Sequence, residues 1–415
     1  MKILTFLGAG TAYITTYVMP DGREHTAPFF GVALARFYPD ADIRVFVTQG
    51  ARQAHWGDFL RQAEDYADYI TPVDLSDGEN EEQLWQIFEA VVENVGDGEE
   101  VLFDITHGFR SLPFLSFLAA AYLRVVKNIE LQGVLYGNFE ARDRSVEPHR
   151  APVLDMTRFV GLLDWMIAAD RFTRFGDARD LAERLRAATS RHYPANPKAG
   201  RQAKGIRLAA NAMDEVSLAL RLIRPAETMT AIETLQSRLA DGVEAIHNYA
   251  RPFRPLAQQV TDTYAPLAMG SKAQMQNPVG ALARERRMVS WYLERRQYVQ
   301  AMAIAREWII SWALLQLGFD DVLEKDMREE VEKAIGRANA QRREQHGAFG
   351  NRYFETRKSL NDIPQIARAL KLYEEIGSAR NDLLHAGKRP SAMKAGAMER
   401  KIKELCDALQ SLPLP

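Results

Sequence analysis

The sequence predicts an α/β Rossmann-like N-terminal domain followed by two all-α domains, and three observations support that prediction. Residues 1–155 alternate short β-type runs with helix-length segments, which is typical of a mostly parallel sheet. From about residue 157 onward, long helical patterns replace the strands. A stretch rich in Pro and Gly between Tyr264 and Pro278 indicates a second boundary. We therefore expect domains at 1–155, 156–275 (a helical connector) and 276–415.

The first domain contains five predicted strands and four predicted helices. The strands cover residues 2–7, 42–47, 69–73, 100–105 and 129–136, and the helices cover 28–37, 52–66, 81–95 and 111–126. Residues 14–26 predict a β-hairpin around the turn Pro20-Asp-Gly22. Ligands of parallel sheets bind beyond the carboxyl ends of the strands. The turns after the first and fourth predicted strands are therefore the candidate sites.

The other two domains are predicted to be helical throughout. Their helical patterns cover residues 157–172, 177–188, 203–222, 231–248, 280–317, 326–339, 364–385 and 392–409. The composition, 47% hydrophobic and 26% charged, is that of a globular protein. A net charge of −2 excludes a protein that binds nucleic acid through its overall charge. The single cysteine, Cys406, excludes an intrachain disulfide and a multi-cysteine zinc site, and we expect a cytoplasmic protein without a membrane span.

The first candidate turn reads Gly8-Ala-Gly10-Thr11-Ala-Tyr13. Its two glycines allow a phosphate or ring to approach the backbone closely. A dinucleotide-binding fold is rejected, because Tyr13 replaces the third glycine of that fingerprint and no helix follows directly. The acidic residue expected after the second strand is also absent. A tight turn without any ligand remains the alternative.

The second candidate turn runs from Asp104 to Pro113 and reads Asp-Ile-Thr-His-Gly-Phe-Arg-Ser-Leu-Pro. Ser111 is a predicted helix N-cap, and Gly108 would allow an unusual backbone angle before that helix. Hydrogen-bond donors around the helix N-terminus favour an anionic or nucleotide ligand, and they come from Thr106, His107, Arg110 and Ser111. The alternative is a structural turn in which Asp104 and His107 satisfy backbone groups. No metal site is expected, because a third ligand is not visible nearby.

Three motifs together resemble a known family. They are Asp-x-Thr-His-Gly after a strand, the opening Gly-x-Gly-x-x-Tyr, and the hairpin sequence Asp-Gly-Arg-Glu. They resemble the DxTHG-type CRISPR-associated proteins, which join a CARF (CRISPR-associated Rossmann-fold) sensor domain to a helical HEPN ribonuclease domain. The resemblance is specific in the first 155 residues, weaker in the last 130 and thin between them.

The resemblance implies a homodimer that is activated by a cyclic oligoadenylate, with cyclic tetra-adenylate favoured, and that needs no other cofactor. The residues expected to bind this ring are Gly8, Gly10, Thr11, Tyr13, Thr106, His107, Gly108, Arg110 and Ser111. The implied activity is metal-independent cleavage of single-stranded RNA, in which the 2′-hydroxyl attacks and leaves a 2′,3′-cyclic phosphate. Two alternatives stay open: a ligand-sensing regulator or scaffold without nuclease activity, and a sensor domain that degrades its own messenger.

The HEPN signature, an arginine followed by four to six residues and a histidine, is matched by Arg380–His385. The spacing alone is weak, since chance gives roughly one match at a four-residue gap in a chain of this composition. Arg144–His149 and Arg186–His192 are such matches, but both lack a continuing helical pattern. The pair Arg380 and His385 instead ends a long amphipathic pattern. A helix end stabilised by its cationic residues is the alternative interpretation.

These residue types suit metal-free RNA cleavage. Histidine is the usual acid or base near neutral pH, and the arginine fork stabilises charge on a phosphorane. Asn381 is one helical turn before His385 and is expected to orient it. A basic stretch with interleaved aromatic residues precedes the motif and is either an RNA-binding surface or a solvated loop. It contains Arg337 to Arg343, Phe349, Arg352, Tyr353, Phe354, Arg357 and Lys358.

Overall fold

A computed structural model describes residues 1–108, 111–190, 197–343, 354–356, 358–388 and 392–415. These residues form two compact units, Met1–Asp164 and Trp165–Pro415. Several residues of the sequence-based predictions lie outside the described residues, namely Arg110, His192, Phe349, Arg352, Tyr353 and Arg357. No helix in the described ranges is long and apolar enough to cross a membrane.

The first unit contains an eight-stranded mixed sheet. Its strands are β1 (Lys2–Leu7), β2 (Thr15–Val18), β3 (Glu24–Ala27), β4 (Asp42–Thr48), β5 (Ile70–Leu75), β6 (Glu100–Asp104), β7 (Glu130–Gly137) and β8 (His149–Asp155). They lie in the order β3-β2-β8-β7-β6-β1-β4-β5. The pairs β2–β3 and β7–β8 are antiparallel, and every other neighbouring pair is parallel. The predicted α/β class and hairpin are confirmed.

Both faces of the sheet are covered. The helices of this unit are α1 (Phe30–Phe37), α2 (Gln49–Gln62), α3 (Glu81–Glu93), α4 (Leu112–Val126) and the start of α5 (Thr157–Phe175). In β1, Ile3 and Leu7 join the core beneath α1 and α2, whereas Leu4 and Phe6 join the core beneath α3 and α4. This is why β1 is an almost continuous apolar run rather than an alternating one.

Strand β8 was missed by the sequence analysis, because it begins in a stretch dominated by charge. It lies between β7 and β2, and it holds the hairpin in the sheet. Arg150 pairs with Glu24 across this junction. The exposed half of β8 therefore carries charged residues that conceal its strand period from the sequence pattern.

The segment between β1 and β2 crosses the carboxyl edge of the sheet. Three strands separate β1 from β2, so residues 8–14 span four strand spacings, roughly 19 Å in total. A fully extended segment of that length reaches roughly 25 Å. The segment therefore has little slack beyond its bends at Ala9 and Gly10, and it passes over the end of β6, where the second candidate turn begins.

The second unit is helical. It contains the rest of α5 and α6 (Arg179–Ser190), α7 (Pro197–Arg221), α8 (Pro225–Asp241), α9 (Val243–Tyr249), α10 (Arg254–Tyr264), α11 (Ser271–Gln276), α12 (Pro278–Glu294), α13 (Tyr298–Leu317), α14 (Lys325–Arg343), α15 (Ile366–Leu384) and α16 (Ala395–Gln410). One hydrophobic core extends from Ala168 to Leu412. The division into a connector and a terminal domain near residue 275 stays a prediction.

The predicted continuous helix over residues 280–317 is wrong. The chain forms α12 and α13, separated by a turn in which Arg296 has φ of 56°. The backbone N–H of Gln297 donates to the carbonyl of Tyr292 at 2.9 Å and closes that turn. Neither glycine nor proline marks the break, and apolar residues continue on both sides. The pattern over 231–248 is likewise divided at Gly242 into α8 and α9.

Candidate functional site

The two candidate turns meet at the carboxyl edge of the sheet. A Cβ placed on Gly8 would lie 3.9 Å from the carbonyl carbon of His107. A cavity of about 200 Å³ lies between the turns. Its lining contains Gly8, Gly10, Thr11, Thr106, His107 and Gly108 from the predicted set, together with Ala12 and Phe29. The geometry thus brings together most of the residues that the sequence nominated from two distant segments.

A second cavity, of about 400 Å³, lies on the other side of the glycine segment. It shares Gly8, Gly10 and Gly108 with the first cavity. Thr48, the last residue of β4, and Asp77, two residues after the end of β5, also line it. Sequence analysis missed these two residues, although their positions at the carboxyl ends of parallel strands were a usable signal.

Asp104 ends β6 and anchors the second turn from inside the protein. Its side chain is fully buried. One carboxylate oxygen accepts a hydrogen bond from the hydroxyl of Thr5 at 2.6 Å, and the other accepts from the backbone N–H of Thr106 at 2.8 Å. Burial raises the pKa of Asp104 to about 6, and the hydrogen bonds from Thr106 and Thr5 oppose that rise. Asp104 therefore shapes the turn and does not line either cavity.

Thr106 has a similar structural task. Its hydroxyl oxygen accepts a hydrogen bond from the backbone N–H of Gly137 at 2.8 Å, which ties the turn to the end of β7. A Cβ on Gly137 would lie 2.9 Å from the ring of Tyr17 and 3.2 Å from the methyl of Thr106. Glycine at this position therefore allows β7, β2 and the turn to pack closely.

His107 is held in one tautomer. Its Nε2 accepts a hydrogen bond from the backbone N–H of Phe30 at 3.2 Å and lies 3.1 Å from the hydroxyl of Tyr17. A backbone N–H can only donate, so Nε2 carries the lone pair and Nδ1 carries the proton. Burial, with a contribution from His55, lowers the pKa of His107 to about 4. At neutral pH the ring is therefore an uncharged N–H donor in the wall of the smaller cavity.

Two expectations about the second turn are wrong in detail. Gly108 is outside the left-handed region of φ. Glycine is needed at position 108 for another reason, because a Cβ at this position would lie only 2.8 Å from Cδ1 of Leu112. Ser111 occupies the N-cap position of α4, but its backbone is helical and its side chain makes no capping hydrogen bond. Ser111 is also absent from the described lining of both cavities.

The first turn is held mainly by an aromatic residue and a histidine. Tyr13 stacks on Phe139 with ring centroids 5.1 Å apart and does not contribute to the described cavity walls. Nε2 of His55 lies 2.7 Å from the carbonyl oxygen of Gly10. His55 comes from α2, and its role was not visible in the sequence. Tyr13 as a ligand residue stays a prediction.

The predicted catalytic residues lie at the end of α15. Arg380 is half-buried, whereas Asn381 and His385 are exposed. His385 is the C-cap, and its backbone N–H donates to the carbonyl of Asn381 at 3.0 Å. The predicted side-chain contact between Asn381 and His385 is not among the hydrogen bonds of the described residues. No ion pair of Arg380 is present in the described part of the chain either, so its guanidinium has room for another partner.

The basic stretch before α15 is partly used for packing. Phe354 is buried and meets Phe319 edge-on, so it offers no face to a nucleobase. Arg342 and Arg343 both pair with Glu374 of α15. These arginines therefore support the helix that carries Arg380, and fewer residues remain for RNA than the sequence indicated.

The fold and the site define a class: an α/β unit with a ligand-type turn site, followed by a helical unit. No family model matches the chain. The chain is similar to the CRISPR-associated protein MJ1674 of Methanocaldococcus jannaschii, with 29% identity over 133 residues. The similarity covers 29% of this chain and 20% of the relative, so the chain spans about a fifth of that protein's length.

Proposed function

We propose that this protein is a CRISPR-associated effector that binds a cyclic oligoadenylate at the turns of its α/β unit and cuts single-stranded RNA with its helical unit. The observation that carries the proposal is the cavity between Gly8–Thr11 and Thr106–Gly108. The similarity to a CRISPR-associated protein supports the biological setting. The neutral His107 supplies an uncharged hydrogen-bond donor, and the glycines let a ligand approach the backbone closely. Both features suit a cyclic nucleotide.

A homodimer would complete the ligand site. Helix α4 begins at Leu112, which lines the larger of the two cavities at the turns, and its outer face exposes large apolar side chains. Phe114 is 64% exposed, Tyr122 is 45% exposed and Val125 is 81% exposed. Monomeric proteins rarely leave such a patch uncovered. A second copy packed on α4 about a two-fold axis would bring two sets of turns around one ring, whose own symmetry matches such an interface.

The proposed chemistry uses Arg380 and His385 of two protomers. His385 would move a proton during attack of the 2′-hydroxyl on the adjacent phosphorus, and Arg380 would stabilise the phosphorane charge with its fork of N–H donors. The exposure of His385 supports this assignment, as does the guanidinium of Arg380, which forms no ion pair with any other described residue. Activator binding would shift the dimer towards a cleavage-competent state.

The deciding experiment measures RNA cleavage by the purified protein with cyclic tri-, tetra- and hexa-adenylate, in the presence of EDTA. We expect one ring, with cyclic tetra-adenylate favoured, to stimulate cleavage. His385→Ala and Arg380→Ala should each lower the stimulated rate by at least 100-fold, within the range that such groups contribute. Arg380→Lys should also lose most activity, because lysine keeps the charge and lacks the fork. Lys388→Ala, another exposed cation just beyond the helix, is the matched control.

Binding and cleavage are read separately. Calorimetry with each ring tests the sensor, and the His385 and Arg380 variants should bind the ring as the unmodified protein does. Binding without any stimulated cleavage would identify a regulator or scaffold instead of a nuclease. Conversion of the ring to linear product by residues 1–155 of the chain would point to a sensor that degrades its messenger. Failure of every ring to bind would remove the sensor assignment.

A further inference from the structure

The helical unit contains a large cavity that neither proposed activity uses. It lies among α7, α8, α11, α12 and the turn after α13, and its volume is about 970 Å³. We call it the α7–α12 cavity. It has the dimensions of a small-molecule site.

The mouth of the α7–α12 cavity is apolar. Leu222 is 56% exposed, Met275 is 76% exposed and Leu323 is 73% exposed, and all three line it. Leu218 adds a fourth exposed apolar side chain. Such a concentration of exposed apolar surface around a concave site marks a place where an apolar group binds.

The charged side chains that line the α7–α12 cavity are all acidic. Its wall carries five carboxylates, Glu215, Glu227, Glu285, Asp320 and Asp321. Among the described residues, no lysine, arginine or histidine lines the cavity, and none of the five carboxylates forms an ion pair. The field inside the cavity therefore favours a cation.

Glu285 of α12 is the most unusual of these groups. Its side chain is recessed in the cavity wall and half-buried, and burial raises the pKa of its carboxyl to about 7. Arg328 lies near enough to oppose that rise, but its guanidinium already donates to Glu307 and to Ser311 Oγ, both at 2.9 Å, and to the carbonyl of Val322 at 2.7 Å. Glu285 itself has no hydrogen bond within the described structure. A recessed carboxyl that lacks a partner and faces a cavity is a typical ligand group.

We propose that the α7–α12 cavity binds an organic cation, namely an ammonium group attached to an apolar body. The ammonium meets Glu285, and the apolar body lies against Leu222, Met275 and Leu323. Desolvation selects this ligand class, because an anion would face uncompensated carboxylates and a neutral hydrocarbon would leave Glu285 without a partner.

The test uses n-octylammonium chloride as the probe and the full-length protein, with binding measured by calorimetry. We expect saturable binding of one equivalent. n-Octanoate, which has the same chain and the opposite charge, should not bind. n-Butylammonium should bind at least about tenfold more weakly, because four buried methylenes are lost. Equal binding of octylammonium and octanoate would overturn the proposal, as would the absence of octylammonium binding.

Two variants locate the probe, and a third serves as control. Glu285→Gln keeps the shape of the side chain and should lower octylammonium affinity at least tenfold. Leu222→Lys places a positive charge at the exposed mouth of the cavity and should also lower octylammonium affinity at least tenfold. Because Leu222 is exposed, this substitution should not disturb the hydrophobic core. Val243→Lys, an equally exposed position outside the cavity, should bind the probe normally.

Unchanged affinity in both Glu285→Gln and Leu222→Lys would refute the proposed location. A second copy of the chain is the competing occupant. If Leu222→Lys lowers the oligomeric mass in sedimentation and octylammonium does not bind, the cavity is an interface between copies and the proposal fails.

Discussion

Asp104 and His107 have pKa values that move in opposite directions. In the unfolded chain His107 gains its proton near pH 6.5, but in the folded protein it does so only near pH 4. Asp104 is protonated near pH 6 when folded and near pH 3.8 when unfolded. Each shift corresponds to roughly 3 kcal/mol of folding free energy. Because the two windows overlap, the two contributions nearly cancel between pH 4 and 6.5.

We therefore predict that removal of either residue reveals the contribution of the other. In Asp104→Asn, the free energy of unfolding should fall by about 2–3 kcal/mol from pH 6.5 to 4. Over this range His107 is protonated in the unfolded chain but stays neutral in the folded protein. In His107→Gln, the free energy should rise as the pH falls from 6 to 4, because the folded Asp104 then binds more protons. Hydrogen exchange of the backbone amides in β1 and β6, followed against pH, measures the free energy of unfolding of both variants. Identical pH slopes in the two variants would contradict the assignment.

At the scale of elements, the break between α12 and α13 gives a second prediction. The exposed Arg296 adopts a left-handed backbone that glycine tolerates better. Arg296→Gly should raise the free energy of unfolding by about 0.5–1 kcal/mol, as measured by urea denaturation.

The control is Arg400→Gly on the exposed face of α16. It should lower stability by about 1 kcal/mol, because glycine weakens a helix interior. A loss of stability in both variants would show that the Arg296 side chain matters more than its backbone.

Elements with a clear period were predictable, and those that depend on distant partners were not. Local sequence patterns predicted the five parallel strands β1, β4, β5, β6 and β7, the hairpin and α1. Strand β8 did not, because its place depends on pairing with β2 and β7. In the site, the sequence nominated His107 but could not supply Phe30, whose backbone N–H fixes the histidine tautomer. That contact joins residues 77 positions apart.

At the scale of the whole molecule, the core of the second unit crosses the predicted boundary near residue 275. The hydroxyl of Tyr292 on α12 donates to the carbonyl of Leu220 on α7 at 2.6 Å. The guanidinium of Arg295 donates to the carbonyl of Thr173 at 3.0 Å. Because of these contacts, we expect residues before and after 275 to unfold together.

Tyr292→Phe tests that cooperativity. Loss of the buried hydroxyl removes this hydrogen bond and leaves the Leu220 carbonyl with the backbone N–H of Ile223, at 3.1 Å, as its donor, so the change should cost about 1 kcal/mol. In hydrogen exchange, peptides from α7 and from α13 should lose protection by the same amount. Tyr298→Phe, whose hydroxyl contacts Glu399 nearer the surface, should have a smaller effect. If only one of the two helices responds to Tyr292→Phe, the predicted separate domains exist.

The position of β8 also has a consequence for synthesis on the ribosome. Glu24 of the hairpin and its partner Arg150 are 126 residues apart in the chain. At the usual pace of translation, roughly 6–25 s pass between their appearance. During that interval β2 has no neighbour on one side, and its free backbone groups can pair with another emerging chain. The nascent protein therefore passes through a short period of exposure to misassembly, which ends only when β8 leaves the exit tunnel.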